Sequence, residues 1–470
     1  MTTTTKAEYF KQRLEENQGN PLIEAIPPRL RASELVLAVA RLPGFHAEQR
    51  DWEDYERELL IKRLEKCVIP LSIYQDVYAT IYTTLVSGYQ DRNPMSATTQ
   101  KWLYGVARNV QVDSKTSADA VLITGLSGAG KSTLLNSVLS CFPQIIEHQS
   151  FDGRPFKQKQ LVYLKFDMPP DASRKALCMG FFCKVDEAVG TRYAEQYQKT
   201  RISIDDMERA IRTICASHCI GIIIIDEFEN LNIAKAGGKD IILGFFNSIT
   251  NQAKVPVVKV GTTAALSLFG EQFKSARRAG SGGLFELGQL DRSGSDWKQL
   301  VAAIWRYQWT RKPIELSEML EESLYNLTQG VPFCLFKLMQ LANLEAISSG
   351  SEKISKSLLE RVYQKHFGLM RHAISALRTG RGKRYEDLLS VSSWLEGRET
   401  SFPKAHLANL ARSQDFKGAP AKELLHHVDD TVAESSLSVS EKRDLKRFRE
   451  ELTARIAEGD GEGLLEAVVI

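Results

Sequence analysis

The residues best suited to chemistry form one run, Gly125-Leu126-Ser127-Gly128-Ala129-Gly130-Lys131-Ser132, which satisfies GxxxxGK[ST]. Glycines let a backbone wrap closely round phosphates. The N–H groups from Ser127 through Thr133, at the start of the following helix, can then face the anion. Lys131 would reach the terminal phosphates, and the Ser132 hydroxyl would complete a magnesium shell. A second run, Ile222-Ile223-Ile224-Ile225-Asp226-Glu227, is an apolar strand ending in two carboxylates. Asp226 suits a magnesium held through water, and Glu227 suits orienting and activating an attacking water. Alone, a strand ending in Asp-Glu says little, because acidic helix starts are common; after a phosphate loop in the same segment it points to hydrolysis. Thr262, in Val257-Val258-Lys259-Val260-Gly261-Thr262-Thr263, carries a hydroxyl at a strand end and is a candidate γ-phosphate sensor, the alternative being a plain turn. Arg277 and Arg278 precede a flexible glycine segment. They could reach a neighbouring subunit's nucleotide or form a surface pair.

Positioning these groups requires strands that end together. Val121–Thr124, Leu161–Phe166, Gly221–Ile225, Val257–Val260 and Leu284–Leu287 are short apolar, β-branched runs alternating with amphipathic helices. Parallel strands buried on both faces read this way, so the fold class is α/β, a parallel sheet flanked by helices. The expected organisation is a helical N-terminal region at 1–112, an α/β nucleotide-binding domain at 113–290, a helical lid and basic segment at 291–390, and an acid-rich helical tail at 391–470. Asn20–Pro28 is too proline-rich for a helix and is expected as an extended arm. From Glu48 to Lys66, Trp52, Tyr55, Leu59, Leu60 and Leu64 recur at helical spacing.

Composition excludes several classes. With 43% hydrophobic and 25% charged residues the chain should fold around real cores. The longest strongly apolar run, Ile220–Ile225, is far short of the roughly 20 residues of a membrane span, so no membrane partner is expected. The start, MTTTTKAEYF, lacks a secretory pattern, and seven scattered cysteines suit a reducing cytoplasm. The net charge of +3 decides nothing about partners, but its distribution is uneven: residues 361–390 are basic and 421–470 acidic.

Taken together, the phosphate loop, Ile222–Glu227, Val257–Thr262 and Arg277-Arg278 resemble the AAA+ ATPases. More narrowly the chain is similar to the TnsC family of regulators of Tn-seven-like transposons. The shared motifs are Asn20–Pro28, Leu122–Lys131, Leu161-Val-Tyr-Leu-Lys165, Ser275-Ala-Arg-Arg278, Thr328-Gln-Gly-Val331 and Ala376-Leu-Arg-Thr-Gly380, over about residues 20–388. The resemblance implies an AAA+ P-loop core using ATP and Mg2+, in a bacterial cytoplasm, on DNA. It implies a homo-oligomer, ring or helical filament, around duplex DNA, linking a target-selector protein or RNA-guided complex to transposase subunits. It gives Arg277 and Arg278 an intersubunit role. One departure is Phe333, where many AAA+ proteins carry a sensor arginine; Lys337, one helical turn later, is a candidate replacement, or a solvated lysine.

A sequence-independent DNA surface is expected from Arg174, Lys175, Lys199 and Arg201. Lys175 leads, because it matches a family lysine at the equivalent helix start. Contacts of this kind bind phosphates and carry no base information. Two other functions fit the same motifs: an AAA+ DNA motor or clamp-loader-like machine, and a signalling or scaffold ATPase without DNA. ATP hydrolysis as a disassembly timer is the expected mechanism, with the proline-rich arm and the acidic tail serving partners.

Overall fold

The computed structural model describes residues 4–107, 118–170, 172–199, 202–231, 235–263, 280–368 and 370–378. Arg201, Ser275–Arg278 and the expected tail at 391–470 lie outside them. The described residues all belong to the compact unit Met1–Val391.

Its centre is a five-stranded parallel sheet. The strands are β2 (Ala120–Gly125), β5 (Tyr163–Asp167), β6 (Ile222–Asp226), β7 (Val257–Gly261) and β8 (Gly283–Leu287), in the order β5-β6-β7-β2-β8. Every residue of β2, β6 and β7 is buried, which is why they read as unbroken apolar runs. Four of the five expected strands enter this sheet, and the fifth, Leu161–Phe166, enters it from Tyr163 on. The strand between the two motifs in sequence, β5, takes the edge, and β7 separates the phosphate-loop strand from the acidic strand. Register fixes the ends: Ile225 lies opposite Lys259, and Thr124 opposite Gly261, so Gly125, Asp226 and Thr262 leave the same sheet edge. Ligands of open α/β sheets bind at that carboxyl edge.

The expected strand Leu161–Phe166 proves to be two. Leu161 closes β4 (Arg154–Leu161), which forms an antiparallel hairpin with β3 (Ile145–Phe151). The two-residue turn is Asp152-Gly153, both at positive φ (49° and 73°), the geometry for which this dipeptide is favoured. A short strand, β1 (Thr4–Lys6), pairs with β3 to complete a second sheet.

Asn20–Pro28 is not an extended arm. Asn20 caps a helix, Pro21–Glu24, by accepting the Leu22 N–H, and it donates to the Tyr89 carbonyl. Proline is well placed at the first helical position, where its missing N–H is not needed. Leu22, Ile23 and Ile26 are each 1% exposed, worth about 1.5–3 kcal/mol apiece in burial. The segment is core, packed with the Ile73–Gln90 helix and the sheet. The Glu48–Lys66 helix is likewise broken: a 3₁₀ turn, Ala47–Asp51, precedes the helix Asp54–Ile61, and another, Lys62–Lys66, follows it. Leu60 and Leu64 are buried, whereas Trp52, Tyr55 and Leu59 face solvent.

Two cores result. One joins residues 22–39 and 68–89 to the sheet; the other joins Leu60, Ile61, Leu64, Cys67 and Ile69 to the helices Ser295–Trp305, Glu318–Thr328, Pro332–Ser348 and Lys356–His366. The N-terminal region therefore has no separate core among the described residues. A buried ion pair reinforces the second core: the Arg57 guanidinium donates to both oxygens of Glu352, at 2.8 Å each, with Arg57 wholly buried. Among the described residues no helix is long and apolar enough to cross a membrane.

Candidate nucleotide site

The loop after β2 is built by its glycines. Gly125 (φ 145°) passes so close to β8 that a Cβ there would lie 2.0 Å from the Leu287 carbonyl oxygen, which accepts the Leu126 N–H. Gly130 (φ 95°) turns the chain into the helix Lys131–Leu139, leaving that helix's first N–H groups aimed at the loop. The Lys131 ammonium donates to the carbonyls of Gly125 (2.9 Å) and Leu126 (3.0 Å), so it sits over the loop's own concavity. Ser132 is half-buried one residue on, and Thr133 is exposed.

Asp226 ends β6 with 3% exposure; its Oδ1 accepts the Glu227 N–H at 3.0 Å, and its backbone oxygen accepts the Met168 N–H. Glu227 itself is exposed, in a left-handed conformation (φ 54°) that swings its carboxylate off the strand axis. Its carboxyl is pushed above the usual glutamate value, first by desolvation and then by Glu229, Asp226 and Asp167; Lys131 opposes the shift. The ammonium of the phosphate loop and the carboxylate after β6 are thus within electrostatic reach. Thr262 follows β7 between them and is buried at 9% exposure.

The helices that follow β8 dock directly on this loop. Phe333, at the start of the Pro332–Ser348 helix, donates its N–H to the Gly128 carbonyl at 3.1 Å. Gly330 (φ 69°) lets the preceding turn approach β8's exit, where a Cβ would stand 2.3 Å from the Leu290 oxygen, and Leu290 donates to the Gly330 carbonyl. The Thr328–Val331 motif is this turn. Between the Pro332–Ser348 helix and the loop lies a cavity of about 350 Å³, lined by Gly128, Ala129, Gly130, Thr133, Phe333 and Lys337. Its other wall is N-terminal: Leu64, Cys67, Val68, Ile69, Leu71 and Tyr74. Sequence reasoning missed that wall. Its only signal was a short apolar run, Cys67-Val68-Ile69-Pro70-Leu71, which Val68 ties by a two-way backbone bridge to Arg41.

Three of the four expected DNA contacts, Arg174, Lys175 and Lys199, lie among the described residues. Lys175 is exposed on the first turn of the helix Arg174–Val189, which Ser173 caps. Arg174 instead pairs with Glu208 at 3.1 Å. A guanidinium so engaged is not freely offered to phosphate. Lys199 is exposed, further along the chain. In the same helix as Lys175, Cys178 is buried and Cys183 is exposed.

The residues fit a triphosphate and a hard cation. Gly125, Gly128 and Gly130 hold positive φ round a concave backbone, and Ser132 and Asp226 supply the oxygen donors magnesium prefers. Residues 114–269 match the family described as an AAA domain. No curated protein matches the chain. Among solved structures, the chain is similar to the Aeropyrum pernix ORC1 protein in complex with DNA, at 15% identity and TM-score 0.38, covering 75% of this chain and 80% of that one. It is similar to Cdc6p from Pyrobaculum aerophilum at 11% identity and TM-score 0.37, covering 76% and 86%. The Drosophila ORC bound to DNA matches at 11% identity and TM-score 0.38, covering 91% and 88%. The chain has the AAA+ P-loop fold.

Proposed function

We propose that this protein is an ATPase that assembles on duplex DNA as a ring or helical filament and couples target selection to a transposase, with hydrolysis as the timer for disassembly. The observation that carries the ATPase reading is the meeting of the Gly125–Ser132 loop, the Asp226-Glu227 strand end and the lid turn Gly330–Phe333 at one sheet edge. In this reading the loop N–H groups and Lys131 bind the phosphates, and the apolar cavity between lid and N-terminal wall takes the base. Ser132 and Asp226 hold Mg2+, which supplies neutralisation of phosphate charge when bound. Glu227 takes the proton of the attacking water, Thr262 senses the γ-phosphate, and Lys337 supplies the lid's cation beside Phe333. Arg277 and Arg278 act across the subunit interface.

Transposition is favoured over a motor or a DNA-free scaffold by the motif set in the chain, above all Ser275-Ala276-Arg277-Arg278 and Leu161–Lys165. Exposed Lys175, with Lys199 and Arg201, supplies the phosphate contacts. The test is Lys131→Ala in a transposition and DNA-retention assay. Removing the one phosphate-loop cation should abolish ATP-dependent DNA binding and transposition together. A variant that keeps wild-type nucleotide affinity would refute the site; one that loses ATP but keeps full transposition would refute the coupling.

A further inference from the structure

Lys165 has no role in the machinery above, yet it stands inside it. It lies on β5 opposite Ile224, and its ammonium is 3.1 Å from Asp226 Oδ2 and 3.0 Å from the Asn136 side-chain oxygen. Asn136 is one helical turn beyond Ser132, so Lys165 faces the side of the phosphate-loop helix that carries the second magnesium donor. With Asp226 Oδ1 accepting the Glu227 N–H, both oxygens of that carboxylate are engaged by the chain itself. The Asp226 side chain is 5% exposed and that of Lys165 is 20% exposed, so water screens the pair only in part. A further acceptor stands close by: Asp167 Oδ1, on a side chain 71% exposed, is 3.9 Å from the same ammonium.

We propose that Lys165 is a resident counter-ion that competes with Mg2+ for Asp226 and so sets the magnesium concentration at which nucleotide is held. The inference rests on the ATPase reading above and adds a positioning residue to it. A fixed positive charge beside the acid disfavours a dication there by simple repulsion. When the dication arrives, the ammonium can shift toward Asp167 and Asn136, so it need not be stripped of partners. This raises the free Mg2+ at which nucleotide is retained, where an unguarded Asp226 would saturate early.

The test is a Mg2+ titration of fluorescent ATP-analogue binding at constant ionic strength, with thermal unfolding of each variant as the check on folding. In Lys165→Met and Lys165→Gln the half-saturating Mg2+ should fall by about 30-fold or more, the effect on a dication of one unit charge about 4 Å away even at the dielectric of water. Lys165→Gln keeps a hydrogen bond to Asn136 or Asp226 and covers the case in which the methionine variant fails to fold. Lys165→Arg keeps the charge and should keep the wild-type requirement. An unchanged or raised Mg2+ requirement in a folded neutral variant would overturn the inference and leave the ATPase reading standing. A wild-type protein that binds no analogue at any Mg2+ concentration would overturn both.

Discussion

Changing Glu227 to glutamine tests the hydrolytic assignment most directly, because the structure predicts what the change spares as well as what it removes. Glu227 is exposed, and its backbone N–H, not its side chain, bonds Asp226, so the turn after β6 should survive. Glutamine is no worse than glutamate at φ 54°, so strain at that position is unchanged. The substitution removes one negative charge from a group already crowded by Glu229, Asp226 and Asp167, which should hold ATP affinity at or above the wild-type level. What disappears is the carboxylate that takes a proton from water. General bases contribute about 100- to 10,000-fold, or about 2.7–5.4 kcal/mol of barrier. The assay is steady-state phosphate release beside equilibrium ATP binding, each as a function of pH. Because the Glu227 carboxyl is raised, its reactive ionised form is lost as pH falls through that raised value. The wild-type rate should therefore drop on an acid limb starting above the ordinary glutamate value of 4.5, and the residual Glu227→Gln rate should lack it. If ATP-bound oligomers are the active state, the variant should also persist on DNA and support transposition with relaxed target choice. Hydrolysis within about threefold of wild type would refute the general-base role, since that loss is far below what such groups supply. A variant that binds ATP and DNA normally but supports no transposition would refute the switch.

Three other outcomes follow from particular contacts. Gly125→Ala puts a Cβ 2.0 Å from the Leu287 oxygen at a φ of 145°, so it should cost about 2–5 kcal/mol and lower both the melting temperature and ATP affinity. Glu352→Gln removes the less exposed of the two counter-charges of buried Arg57, leaving only the exposed Asp54 carboxylate at 2.6 Å, and should cost about 1.5–3 kcal/mol at neutral pH. Arg57 holds the Glu352 carboxyl below its ordinary 4.5, so the pair's stability is present above that value and lost as pH falls through the depressed one; denaturant melts should show the wild-type advantage shrinking in acid. Lys175→Ala should weaken binding to unrelated duplexes by similar factors and reduce the slope of log affinity against log salt by about 0.9, measured by anisotropy at several salt concentrations. A loss confined to one sequence would instead mean base readout.

The central sheet and the phosphate loop were legible because both are local patterns with strong physical causes. A strand buried on two faces must be apolar throughout, as Ile222–Ile225 and Val257–Val260 are, and a backbone wrapped round phosphate must be glycine-rich, as Gly125–Gly130 is. The N-terminal residues were not legible in that way. Asn20–Pro28 looks extended when proline is counted as a breaker. At the first helical position it starts a helix, and Asn20, which takes the Leu22 N–H and gives one to Tyr89, decides the matter through a partner 69 residues away. Trp52, Tyr55 and Leu59 have core-like spacing but face solvent, since periodicity names a face without saying what covers it.

By itself, then, the sequence determined the order of strands along the chain, the loop that wraps an anion and the two carboxylates that follow an apolar strand, since each depends on neighbours in sequence. Only the tertiary structure decided which strands lie side by side, that β7 separates β2 from β6, and that the turn at Gly330–Phe333 closes on Gly128. It also decided that Arg174 belongs to Glu208 and that Lys165 stands on Asp226, pairs 34 and 61 positions apart. Charge and hydrogen-bonding act through space at a few ångströms, so a residue's partner, and with it the residue's chemistry, is set by the fold that brings distant segments together.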